Sequence, residues 1–106
     1  MKQGHDLMAS KIKITPEAEE DIYSIADEIQ LKNNSATAKL ILTEMQNQLN
    51  ALAEYPELGR VGGCEGTREI VMSGMPYITI FERINNLVVV IRVLRGSVGN
   101  QASVNE

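Results

Sequence analysis

Residues 67–97, TREIVMSGMPYITIFERINNLVVVIRVLRGS, decide the fold. They divide into three strand-like runs at 67–73, 77–84 and 87–94, separated by turn residues around Gly74-Met75-Pro76 and by Asn85-Asn86. An Asn-Asn pair tolerates the positive φ of a two-residue hairpin, so an antiparallel meander is expected. The third run is the most apolar and belongs inside the sheet. Strict alternation would set Val89, Ile91 and Val93 on one face, and Val88, Val90, Arg92 and Leu94 on the other.

The segments before the meander change period. Residues 56–66, PELGRVGGCEG, hold turn formers without an apolar period and read as a loop. Upstream, Ala38, Ile41, Leu42, Met45, Leu49, Leu52 and Ala53 form one apolar face of a helix over 36–54, with Ser35 as its expected cap. Ala18, Ile22, Ile25 and Ile29 form a stripe on a helix over 16–31. Thr15 caps that helix, Pro16 opens it, and Glu17, Glu19, Glu20 and Asp21 face the positive end of its dipole. Asn33-Asn34 would close it in a left-handed conformation, and so short a link makes the helices an antiparallel hairpin. Lysine alternates with isoleucine over 11–14, a short strand suited to a sheet edge. Residues 1–10 read as a disordered leader, with Met8 a candidate native start, and 98–106 as a flexible tail.

Length and charge narrow the function classes. A chain of 106 residues makes a single domain, 11–97, with one core. It contains no apolar run of the ~18–20 residues that a membrane span needs. One cysteine, Cys64, gives no disulfide framework, which suits a reducing cytoplasm. One His and one Cys leave no structural zinc site, and no cofactor motif is present. All lysines lie in the first half and all arginines in the second, and the net charge is −4. Sequence-independent nucleic-acid binding rests on phosphate neutralisation, so an acidic chain would need a local arginine cluster or a protein partner.

The candidate chemistry therefore lies in Arg60, Arg68, Arg83, Arg92 and Arg95. A guanidinium can hold a phosphate bidentately and stabilise charge in phosphoryl transfer. The same arginines could instead pair with Glu57, Glu65, Glu69 and Glu82 at the surface. Arg92 stands in the most apolar strand and needs a partner or an open face. Tyr77 could stack on a base or serve as an acid, or be a half-buried strand aromatic. Cys64 has no base beside it and reads as an inert loop thiol.

Several short pieces then fall in a telling order. Thr15-Pro16-Glu17-Ala18 with Glu20-Asp21-Ile22 opens the first helix, and Ala51-Leu52 through Pro56 to Gly59-Arg60 ends the second. Thr67-Arg68-Glu69 opens the meander, and Ile91-Arg92-Val93-Leu94-Arg95-Gly96 closes it. Over residues 12–97 the chain resembles the RelE/ParE superfamily of bacterial toxins from type II toxin–antitoxin modules, closer to the ParE (plasmid-stabilisation) branch. The resemblance implies an α+β fold, with a short N-terminal strand and an antiparallel helical hairpin packed on one face of a twisted antiparallel sheet. It also implies a cognate antitoxin that wraps and neutralises the chain, with Ile22, Ile25 and Met45 marking its groove.

Two activities occur among such relatives. ParE-like members bind DNA gyrase, and RelE-like members cut mRNA on the ribosome. The first implies a target surface formed by Arg60, Arg68, Arg92 and Arg95. The second implies a nuclease centre of Arg68, Arg92 and Tyr77, with Arg95 assisting. A non-toxic relative retained as a binding module is a third possibility. Arg95 stands where many ParE-like chains carry histidine, Val98-Gly99 replaces a frequent Arg-Asp, and the tail lacks the terminal basic and tyrosine residues of RelE-like nucleases.

Overall fold

The computed structural model describes residues 11–96, so the expected leader, start site and tail lie outside the described residues. The chain runs β1 (Lys11–Ile14), α1 (Pro16–Lys32), α2 (Ser35–Glu54), a 3-10 turn (Pro56–Leu58), β2 (Arg60–Val61), β3 (Arg68–Val71), β4 (Tyr77–Ile84) and β5 (Leu87–Arg95). Sheet order is β1-β5-β4-β3-β2.

The sheet is mixed, which corrects the antiparallel expectation. β1 pairs with β5 in parallel, Lys11 beside Leu87 and Ile14 beside Val90, while the other pairings are antiparallel. β1 and β5 are the first and last strands of the chain, with both helices and β2–β4 between them, so no tight hairpin turn forces them to run antiparallel. The stretch 56–66 also holds more order than its turn residues suggest. It contains the 3-10 turn and β2, which pairs Arg60 with Glu69 and Val61 with Arg68.

Caps follow local chemistry. Thr15 is extended, its hydroxyl oxygen accepting from the Ala18 amide at 3.2 Å and donating to the Ile91 carbonyl at 3.0 Å. One side chain thus caps α1 and ties it to β5. Asn34, not Ser35, caps α2, its side-chain oxygen accepting from the Thr37 amide at 2.8 Å. Asn33 ends α1 at φ −124, so the expected left-handed residue is absent there. Asn85 does take positive φ, 56, at the hairpin turn.

The core lies between the hairpin and one sheet face. Ala18, Ile25, Met45, Leu49 and Leu52 from the helices meet Phe81, Val88, Val90 and Val93 from the strands, all buried. A β-bulge decides which residues of β5 reach it. Ile80 faces Arg92 but Phe81 faces Val90, so Ile91 is the extra residue and the alternation shifts phase there. Val88 and Val90 before the bulge, and Val93 after it, all point inward. Arg92 therefore leaves the face of Val88 and Val90, against the strict alternation expected from sequence.

Two further contacts hold the outer strands. Phe81 packs so close to Gly59 that an added Cβ would sit 2.7 Å from its ring, so only glycine fits. Past the end of β2, the Gln48 carboxamide takes the place of a strand. Its oxygen accepts from the Ser73 amide at 2.8 Å, and its nitrogen donates to the Ser73 carbonyl at 3.0 Å. Helix α2 thereby covers the backbone just past the end of β3, limiting edge-to-edge pairing there.

Candidate functional site: two interaction surfaces

Strand register assigns every residue of the meander to a face, because cross-strand partners point the same way. The helix-packed face carries Arg68, opposite Phe81, and Arg95, opposite Tyr77. The other face carries a row of four neighbours, Arg60, Glu69, Ile80 and Arg92, across β2, β3, β4 and β5. Beside it run Val71, Ile78 and Leu94, and on the opposite flank Glu82, Val89 and Lys13. Ile78, Ile80, Val89 and Ile91 are only half-buried, and none packs into the core. Val71 and Leu94 are more exposed still. Among the described residues nothing covers this open, largely apolar sheet face.

The arginines on it are already engaged. The Arg92 Nε donates to Asp21 Oδ2 at 2.7 Å and its Nη2 to Oδ1 at 2.9 Å. The Val93 amide adds a third bond to Oδ2 at 3.0 Å, so the α1 carboxylate continues the hydrogen bonding of β5 past the end of β1. The Arg92 hydrogen bond holds the Asp21 carboxyl below its usual value, with the Val93 amide adding to the effect, against burial that would raise it. Arg60 lies 3.5 Å from Glu69.

Arg68 and Arg95 are placed differently. Arg68 donates to the Gly59 carbonyl from its Nη2, and its buried Nε has no partner. It therefore helps pin the segment leading into β2. The Arg95 guanidinium carbon stands 5.8 Å above the Tyr77 ring, within cation–π range. Tyr77 itself is buried, 5% exposed. The four arginines expected at the target surface, Arg60, Arg68, Arg92 and Arg95, thus split two and two between faces. Arg68, Arg92 and Tyr77 are not gathered around one point in this conformation.

A second surface lies on the helical hairpin. Ile14, Ile22, Leu42, Met45 and Leu49 line an open cavity of about 240 Å³ between β1, α1 and α2. Glu19, Tyr23 and Gln46 complete its lining. Two of the three nominated groove residues, Ile22 and Met45, are here. Ile25 is not among the lining residues, and Met45, 1% exposed, belongs to the core as well as to the cavity wall. Sequence periodicity missed Leu42 and Glu19, although Leu42 stood in the predicted apolar face and Glu19 lies one turn before Tyr23. Periodicity identifies a face but not where two helices part.

Neither surface shows the ligands of a metal centre: no group of three or more His, Cys, Asp or Glu side chains converges among the described residues. No helix among them is long and apolar enough to cross a membrane.

Comparison with known proteins matches this architecture. A solved structure described as "Chromosomal ParDE TA system from P. aeruginosa" superposes with a TM-score of 0.77 at 19% identity, covering 82% of this chain and 96% of that one. At that identity the likeness shows the fold. "Putative toxin Y4kP" of Sinorhizobium fredii (strain NBRC 101917 / NGR234) is 38% identical over 47 residues, 44% of this chain. The chain spans about half the length of that curated relative, 49%. The profile of the family described as "ParE toxin of type II toxin-antitoxin system, parDE" matches residues 12–98, most of the chain, and the chain belongs to that family.

Proposed function

We propose that this toxin of a type II toxin–antitoxin module acts by binding a protein target, DNA gyrase, through its open sheet face. A cognate antitoxin neutralises it by docking a segment on the helical hairpin at the cavity lined by Ile22 and Met45. The open face carries the first half of this reading. Half-exposed Ile78, Ile80, Val89 and Leu94, bordered by Arg60–Glu69 and Arg92–Asp21 pairs, have the chemistry of a protein interface: apolar centre, polar rim. A phosphate-binding groove needs cations free to replace counterions, and here Arg60 and Arg92 face carboxylates.

An mRNA endonuclease would need Arg68 and Arg92 around one scissile phosphate, with a general acid in reach. Register sets these two arginines on opposite faces of the sheet, and Tyr77 is buried. Protein binding is therefore favoured over cleavage.

Induced expression without the antitoxin tests the proposal. Growth should stop, gyrase-dependent supercoiling should fall, and mRNA should stay full length. Unimpaired growth with normal supercoiling would contradict it. Codon-positioned mRNA cleavage, lost in Arg68→Ala, would replace it with the nuclease activity.

A further inference from the structure

The hairpin cavity has a chemical bias that its apolar lining alone does not reveal. Helix α1 spans Pro16–Lys32 and contains Glu17, Glu19, Glu20, Asp21, Asp27 and Glu28 against a single lysine. Asp21 is tied to Arg92 and Glu28 to Lys32 at 3.1 Å. Glu19 has no ion-pair partner among the described residues, and it is the acidic side chain that lines the cavity. The opposite wall offers Gln46, whose amide nitrogen donates to Asn50 at 3.2 Å. An exposed carboxylate beside an apolar hollow therefore faces outward with its charge uncompensated.

Resting on the antitoxin reading above, we infer that this cavity takes one large aliphatic side chain from an amphipathic helix of the antitoxin, and that Glu19 selects a lysine or arginine beside that anchor. The volume of about 240 Å³ admits a leucine, isoleucine or methionine side chain. The apolar part of its lining, Ile22, Leu42 and Met45 among it, offers dispersion contacts to an aliphatic side chain, and the polar groups of the lining are those of Glu19, Tyr23 and Gln46. Glu19 supplies the oriented contact. A cation there is attracted to the carboxylate and to the neighbouring negative charges of α1, while an acidic residue at the same place is repelled. Specificity then comes as much from rejection of acidic segments as from attraction of basic ones. An apolar anchor in a groove, with charge selecting the flank, is the helix-in-groove mode of peptide recognition.

The probe is a displayed library of amphipathic helical peptides with a fixed central leucine and random residues around it. It is selected against the full chain, and separately against Glu19→Lys. Enrichment of Lys or Arg within one turn of the leucine on the wild type, and of Asp or Glu on Glu19→Lys, is the expected result. Peptides enriched on the wild type should lose about fivefold in affinity on Glu19→Lys at low salt, the size of a rim charge contact reversed. Leu42→Glu, checked for an unchanged unfolding midpoint, should weaken the same peptides. Peptides sensitive to Leu42→Glu but indifferent to the charge at residue 19 would overturn the selectivity while leaving the hairpin groove in place. Peptides indifferent to both substitutions, or no enrichment at all, would remove the groove as well. Gln46→Arg, at an exposed position of the same lining and checked for an unchanged unfolding midpoint, should weaken the Lys-bearing peptides, and an unchanged affinity would count against the charge mechanism.

Discussion

The two faces of the sheet carry similar residues with different fates. On one, Phe81, Val88, Val90 and Val93 are sealed by the hairpin. On the other, Ile78, Ile80, Val89, Ile91 and Leu94 stay half in solvent, outside the core. Composition alone does not distinguish them. The difference lies in coverage: both helices, which follow β1 and precede β2 in the chain, pack on a single side of the sheet. Apolar side chains on the covered face build stability, whereas those on the open face are available to a partner.

That contrast can be broken most severely at Phe81. Phe81→Ala removes a fully buried ring that also packs on Gly59, and should cost about 3–5 kcal/mol in urea unfolding, enough to unfold much of the protein. A loss below about 1 kcal/mol would mean that the packed face is not the core.

The Asp21–Arg92 contact joins the two regions and should matter at an intermediate level. Asp21→Asn keeps the shape but removes the charge, and is expected to cost about 1–2 kcal/mol at neutral pH, a range lowered because the Arg92 side chain is 45% exposed. The pH dependence has a definite sign. Folding lowers the Asp21 pKa, so its contribution is present above the ordinary aspartate value of about 4 and is lost as pH falls through the folded value. The wild type should therefore lose more stability than Asp21→Asn across that acid range. Parallel urea midpoints in the two proteins would show that the contact contributes nothing.

A smaller change should run the other way. Thr79 is 0% exposed, points to the packed face, and its hydroxyl has no partner. Thr79→Val should raise stability by about 1 kcal/mol, because an unsatisfied buried hydroxyl carries a desolvation cost. Destabilisation would reveal a bond to that hydroxyl in solution.

Much of this organisation was legible in the sequence. The helix stripes, the Thr15 cap, the Asn85 turn and the strand order of the meander follow from local patterns that tertiary structure did not override. What was not legible depends on partners distant in sequence. The parallel pairing of β1 leaves no local trace in its lysine–isoleucine alternation. The bulge at Ile91 cannot be read from a run of uniformly apolar residues, yet it reverses the face on which Arg92 stands. Arg92, in the most apolar strand, needs a partner by its position alone, but that partner, Asp21, reads in the sequence as part of an acidic helix start. β2 was hidden because Arg60-Val61 lies among glycines and forms only through Arg68 and Glu69. For the candidate sites, the arginines and the groove face were visible as residues. Their division between two faces, and the absence of Ile25 from the cavity lining, required coordinates.

The most direct test of the open face as the target surface uses Leu94→Ser. Leu94 is 37% exposed, so the substitution should shift the unfolding midpoint by less than about 1 kcal/mol. The measurement is inhibition of supercoiling by purified gyrase with wild-type and variant protein at equal concentration. The account predicts marked inhibition by the wild type and at least about a tenfold weaker effect of the variant, the loss expected when an anchor leaves an interface centre. Equal inhibition by both, with folding unchanged, would contradict it.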